Sequence, residues 1–231
     1  MDSHDVAMVL SKTELFAALD TQVSSELAER ACVRAYRKDE VIFNQDQEDG
    51  KHLFVVAEGS VRLLIRSPQG DVVELARCWP PDVFGELALL DGGARSASAE
   101  AAENTTLIAV TRDELLRFMR SHEAVLDALL RSLGKLVRRA NQQSTDLVFL
   151  NLPARVAKKL LELAPASRVA PRRKVSQADL AQMVGGARQT VNQVLQTFQG
   201  RGWIRVSHRA IEVLDADELR REANGCALPP H

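Results

Sequence analysis

Residues 83–102 read VFGELALLDGGARSASAEAA. Gly85, a turn glycine, precedes Glu86 and Leu87, and Arg95, Ser96 and Ala97 follow about ten residues later. That order fits a pocket for one phosphate and one ribose. The backbone N–H groups of a turn and of the short helix after it face an anion and favour it through the helix dipole. Arg95 brings a planar cation with several donors, better matched to a phosphodiester than a lysine is. Ser96 adds a hydroxyl donor, and Glu86 can accept from a ribose 2′-OH. The plain alternative is a solvated loop in which Arg95 and Glu86 pair with each other. On the first reading Arg95 serves the ligand, so its loss weakens binding and leaves folding almost unchanged.

On the N-terminal side, Leu10 to Arg34 has helical spacing of apolar residues (Leu15, Leu19, Val23, Leu27). From Val41 to Val110 the pattern changes to short β runs: VIFNQ, HLFVVAEGSVRLLIR, VVELAR and TTLIAV. Gly59 and Gly70 punctuate them, as turns that need positive φ do. Short strands with regular turns predict a small antiparallel roll or barrel.

On the C-terminal side, Arg112–Arg120 reads as a short helix, with Ser121 as N-cap of a long one. In the long helix Leu126, Leu133, Ala140 and Leu147 recur every seventh residue, and Leu129, Leu136, Gln143 and Leu150 fill the second heptad position. This a/d seam predicts a parallel homodimer. Packing of the helix on its own domain is the alternative, although about 28 helical residues extend about 42 Å, longer than a small roll covers. Asn151-Leu152-Pro153 then marks a break and hinge, because proline disfavours an α conformation in the residue before it.

Beyond it lie a helix (Ala154–Leu163), a basic loop with Arg168, Arg172, Arg173 and Lys174, and the run VSQADLAQMVGGARQTVNQVLQTFQGRGWIRV. Ser176 caps one helix, Gly185-Gly186 turns, and Ala187–Gln199 forms a second helix that buries Val191, Leu195 and Phe198. Two short helices around a glycine turn are a helix-turn-helix signature. Gly202–Val206 and Ala210–Val213 read as a β-hairpin wing, with Trp203 in the core. Arg188, Gln189 and Gln193 fall on the exposed face of the second helix, whose N-terminal residues reach base edges in a major groove. Arg188 can donate two bonds to guanine O6 and N7. Gln177, Thr190 and Arg172–Lys174 suit phosphate contacts, which position without specifying. Ser176 belongs to the same DNA-facing set.

Charge divides the same way. Residues 1–151 carry 17 Lys/Arg and 24 Asp/Glu, a net −7, while residues 152–231 carry 13 and 7, a net +6. An anionic partner is expected for the second half only. No apolar run approaches a membrane span and the start resembles no signal peptide, so a cytoplasmic protein is expected. Cys32, Cys78 and Cys226 are odd in number and lack metal-ligand spacing, and no nucleophile–base–orienter set suggests an enzyme. No catalytic or metal residue is assigned.

The Gly85–Ala97 segment, the long helix and the winged helix-turn-helix, in this order, resemble the cyclic AMP receptor protein/FNR superfamily of bacterial transcription regulators. The resemblance implies an α+β chain of three parts. Residues 1–120 form a cyclic-nucleotide-binding β-roll, residues 121–151 a dimerisation helix and hinge, and residues 152–231 a winged helix-turn-helix domain. It also implies a nucleotide site at Gly85, Glu86, Leu87, Arg95, Ser96 and Ala97, with the base read by Ala140 and Asn141 on the long helix. Double-stranded DNA, a cyclic nucleotide, RNA polymerase and a second copy of the chain are the implied partners. The iron–sulfur cysteine cluster of one branch is missing, and no histidine sits beside Cys78, where a haem-binding branch places a ligand.

Departures touch the ligand and the operator. Gln47 stands where the family keeps a turn glycine, a role Gly50 can take over in a shifted turn. Ala140 removes a hydroxyl that would bond the base, which relaxes discrimination. Cyclic AMP (cAMP) remains the first effector, with cyclic GMP (cGMP), cyclic di-GMP or no ligand as alternatives. Gln189 and Gln193 replace a glutamate and an arginine, so a different operator is expected. A regulatory subunit acting on a protein partner is the other class of function, against which the basic winged half argues.

Overall fold

Runs such as LFVV and LIAV do not alternate polar with apolar, which predicts strands covered on both faces. The computed structural model describes residues 1–67, 72–164, 175–207 and 210–225 and places these runs at the centre. In chain order come α1 (Ser3–Ser11), α2 (Thr21–Arg30), β1 (Cys32–Tyr36), β2 (Val41–Phe43), β3 (His52–Glu58), β4 (Val61–Arg66), β5 (Val72–Cys78) and β6 (Val83–Phe84). Then follow α3 (Glu86–Asp91), β7 (Ser98–Ala101), β8 (Thr105–Thr111), α4 (Arg112–Ser121) and α5 (Glu123–Phe149). The last are α6 (Leu152–Leu163), α7 (Gln177–Val184), α8 (Arg188–Gly200), β9 (Ile204–Ser207), β10 (Ala210–Val213) and α9 (Ala216–Ala223).

Two four-stranded sheets, β1-β8-β3-β6 and β2-β7-β4-β5, form the roll. Leu53 and Val55 of β3, with Ile108 and Val110 of β8, face the helical layer of Leu10, Phe16, Leu27, Leu115 and Phe118. The alternate residues Phe54, Val56, Leu107 and Ala109 meet Phe43, Val61, Phe84 and Ala99 on the other side. Gly59 turns β3 into β4 with φ of 79°, as expected; Gly70 lies outside the described residues.

Local chemistry departs from expectation at four places. The amphipathic run from Leu10 to Arg34 is not one helix. Asp20 caps α2 by accepting from Val23 N at 2.8 Å, and Cys32 already belongs to β1, which pairs with β8. Ser121 ends α4, donating its hydroxyl to Arg117 O, so it is no N-cap. Pro153 sits in the first turn of α6, where its missing N–H costs nothing, behind the N-cap Asn151. In the turn after β2 the left-handed residue is Asp46 (φ 62°), and Gly50 adopts no positive φ.

The chain forms two compact units. The first runs to Arg138 apart from the start of β5, and the second comprises that start and the residues from Arg139 onward. Within the first unit Val125, Ala128 and Leu129 of α5 are buried in the roll's own core, and Leu133 packs at its edge. Leu129 is therefore not a seam residue. The unpartnered apolar stripe passes through Leu126, Leu130, Leu136 and Val137, the last 58% exposed. Helical packing on its own domain thus takes one face of α5 and leaves another open.

Candidate functional site

Gly85 adopts φ of 82° before α3, whose first turn has no side-chain cap. The conformation favours glycine, and a Cβ there would stand a tight 3.0 Å from Arg95 Nη1. Glu86 opens α3, and burial alone raises its pKa, against a smaller lowering by a hydrogen bond from its own amide. Leu87 and Ser96 are exposed, and Ala97 is buried.

Arg95 departs from the expected open cation. Its side chain is 2% exposed. Nε donates to Asp49 Oδ1 at 3.1 Å, Nη1 to the carbonyls of His52 at 3.1 Å and Gly85 at 3.0 Å, and Nη2 to Asp49 O at 3.4 Å. The guanidinium lies over the Phe43 ring, 4.2 Å from its centroid. Arg95 pairs with Asp49 and not with Glu86, so neither the solvated loop nor the free phosphate cation describes it. It ties the loop after β2, the start of β3 and the Gly85 turn together, and its truncation bears on folding as well as on binding. His52 beside it has a lowered pKa, through burial first and then the positive charges of Arg34 and Arg95.

The structure brings Gly85, Glu86, Leu87, Arg95, Ser96 and Ala97 together in the first unit. Ala140 and Asn141 belong to the second, both exposed on α5. Asp49 and Phe43 were not singled out by the sequence, and only the oddity at Gln47 pointed to their neighbourhood.

In the second unit Gly185, at φ of 62°, ends α7 and allows α8 to start at Arg188. Val191, Leu195 and Phe198 are buried, and Trp203 is half-buried against Phe198 with Arg201 over its ring. The wing is antiparallel, with Val206 opposite Ile211. Arg188, Gln189, Thr190 and Gln193 are exposed. Arg188, Gln189 and Gln193 line a shallow groove with Asn192 and Gln196, two amides that helical spacing could have found. Gln177 is half-buried in the first turn of α7. Ser176 is exposed and engaged in a capping box, accepting from Asp179 N and donating to Asp179 Oδ2, so its hydroxyl serves the helix. Arg168, Arg172, Arg173 and Lys174 lie outside the described residues, as does Cys226.

A cyclic nucleotide-binding domain matches residues 33–122, and a Crp-like helix-turn-helix domain matches residues 154–222. The CRP-like cAMP-activated global transcriptional regulator of Mycobacterium tuberculosis is 31% identical over 223 residues, which is 93% of this chain and 98% of that one. The chain belongs to the cyclic AMP receptor protein/FNR superfamily. Another relative in this superfamily, the cyclic AMP receptor protein of Thermus thermophilus, is 35% identical over 194 residues, covering 84% of this chain and 89% of its own. Of solved structures, FixK2 from Bradyrhizobium japonicum matches with a TM-score of 0.74 at 26% identity, over 83% of this chain and 96% of FixK2. This chain is therefore a CRP-like transcription regulator with a cyclic nucleotide-binding domain and a helix-turn-helix domain, in a family of regulators and not of enzymes. Among the described residues no helix is long and apolar enough to cross a membrane.

Proposed function

We propose that this regulator is a cytoplasmic homodimer that binds a cyclic nucleotide in each β-roll and a palindromic operator through its paired α8 helices. The observation that carries the ligand half is the gathering of Gly85, the uncapped amides of α3, the exposed Ser96 hydroxyl and Arg95 in one unit. Glu86 would accept from the ribose 2′-OH, Leu87 and Ala97 would line the site, and Ala140 and Asn141 would meet the base. We take cAMP as the first effector, since the relatives from Mycobacterium tuberculosis and Thermus thermophilus are named for it. The missing hydroxyl at Ala140 favours a relaxed choice of base. Calorimetric titration with cAMP, cGMP and cyclic di-GMP tests this; no heat with any of them overturns the ligand reading.

The domains would divide at residues 120 and 151, with the open α5 stripe forming the dimer seam. Leu130 and Val137, exposed at 57% and 58%, are better probes than Leu133, which packs on its own core. Leu130→Asp and Val137→Asp are expected to give folded monomers in light scattering, with greatly weakened operator binding. A wild type that is monomeric at micromolar concentration overturns the seam. In the dimer the two α8 helices would meet half-sites about 34 Å apart. Arg188, Gln189 and Gln193 would read bases, and Thr190 and Gln177 would hold phosphates. RNA polymerase is the further partner this reading implies.

A further inference from the structure

The loop between β2 and β3 is wired into the nucleotide cassette at three levels. Its backbone pairs with the cassette's: Asp46 N donates to Arg95 O at 2.9 Å, and Arg95 N donates to Gln47 O at 3.0 Å. Its Gly50 packs so closely on α3 that a Cβ would stand 2.7 Å from Ala88 O. Its Asp49 takes the Arg95 guanidinium. Asp49 is itself oriented, because Gln47 Nε2 donates to Asp49 Oδ2 at 2.9 Å while Gln47 Oε1 accepts from Asn44 N at 3.1 Å. The residue that broke the expected glycine turn thus holds the carboxylate that holds the arginine.

Of the five N–H donors of Arg95, four are engaged by protein acceptors. One of those bonds goes to the carboxylate of Asp49 and one to its backbone carbonyl; the Asp49 side chain is 44% exposed, while Arg95 is closed to solvent. A phosphate oxygen that is to gain the Nε donor of Arg95 must take the place of the Asp49 carboxylate. An internal anion and an incoming one then compete for one cation, and apparent affinity drops by the fraction of molecules in which the cation is available.

We propose that Asp49, positioned by Gln47, is an intramolecular competitor of the nucleotide phosphate for Arg95 and so sets the effector concentration at which the regulator responds. The inference rests on the cassette reading above. It makes Asp49 and Gln47 positioning residues whose loss tightens binding, an outcome that structural damage does not produce.

The test titrates wild type, Asp49→Asn, Asp49→Glu and Gln47→Ala with cAMP and cGMP by calorimetry, with melting curves on each. Asp49→Asn is expected to bind about tenfold more tightly than wild type, since releasing a masked cation restores its intrinsic affinity. Gln47→Ala is expected to show a smaller gain, and Asp49→Glu to stay near wild type by restoring the competing charge. Equal or weaker binding by a folded Asp49→Asn overturns the competition. Binding by Asp49→Asn alone, with a silent wild type, supports it in its strongest form. Silence of both overturns the cassette reading, and this inference with it, whereas a binding wild type without the gain removes only the inference.

Discussion

Arg95 in the β-roll and Arg188 at the start of α8 stand out in the sequence for one reason, that each offers a planar set of donors to a ligand. Their surroundings are opposite. Arg95 is enclosed, bonded to Asp49 and to two backbone carbonyls. Arg188 is exposed in a groove lined by the amides of Gln189, Asn192, Gln193 and Gln196. A buried arginine that satisfies loop carbonyls is part of the fold it sits in. An exposed one on a helix whose opposite face carries Val191, Leu195 and Phe198 leaves packing untouched. Function and stability are therefore coupled in the first unit and separable in the second.

The largest expected effect tests the coupled side. Arg95→Ala removes a donor from the carbonyls of His52 and Gly85, leaves Asp49 without its cation and opens a void over Phe43. It should cost about 2–4 kcal/mol of folding stability, as truncating a buried charged donor does, and nucleotide binding with it. Urea unfolding checks this; an unchanged midpoint would show that the enclosure contributes nothing and break the contrast.

Arg188→Ala probes the separable side. Operator affinity should fall by about 1–3 kcal/mol, with preference flattened at one base pair per half-site, while the melting temperature stays put. Selection of sites from a random DNA pool reads the first part and a melting curve the second. An identical, equally sharp selected motif would move Arg188 to the phosphate contacts.

Ser176→Ala sharpens the contrast within the DNA-binding unit. Loss of the cap should cost about 1 kcal/mol of stability and leave base preference as it was. A changed motif would return Ser176 to the DNA-reading set.

The smallest effect concerns Glu86. Its folded pKa is raised by burial. Between the ordinary carboxylate value and the raised one, the folded protein keeps a proton that the unfolded chain has released. Stability therefore falls as pH rises through that window and levels off above it. Glu86→Gln should remove this falling limb, melting above wild type at pH 7 and matching it below about pH 4. Equal melting temperatures at both pH values would mean that the half-buried carboxylate costs nothing.

Element types were largely legible because they depend on short-range rules. Gly59, Gly85 and Gly185 sit at the left-handed positions that their neighbourhoods suggested. The helix-turn-helix follows from apolar spacing and one glycine turn. Boundaries were less legible where two rules compete, as at Asp20, whose capping splits an apparently continuous amphipathic run. The heptad count failed at Leu129 because a leucine at helical spacing fits a partner helix or a β-sheet equally well, and only the neighbouring roll decides.

By itself the sequence determined the order of the parts, the acidic and basic halves, the turn glycines and the residue types assembled at the cassette and on α8. Those follow from local conformational preference and from charge, which need no knowledge of distant neighbours. Only the tertiary structure decided which groups those residues meet. Asp49 lies 46 residues before Arg95 in the chain, and their ion pair exists because β2, β3 and the cassette converge in one roll. The same convergence buries Leu129, leaves Val137 open and makes the cassette arginine a tie within the fold as well. Contacts between residues far apart in sequence are set by packing of whole elements, and no window of residues contains them.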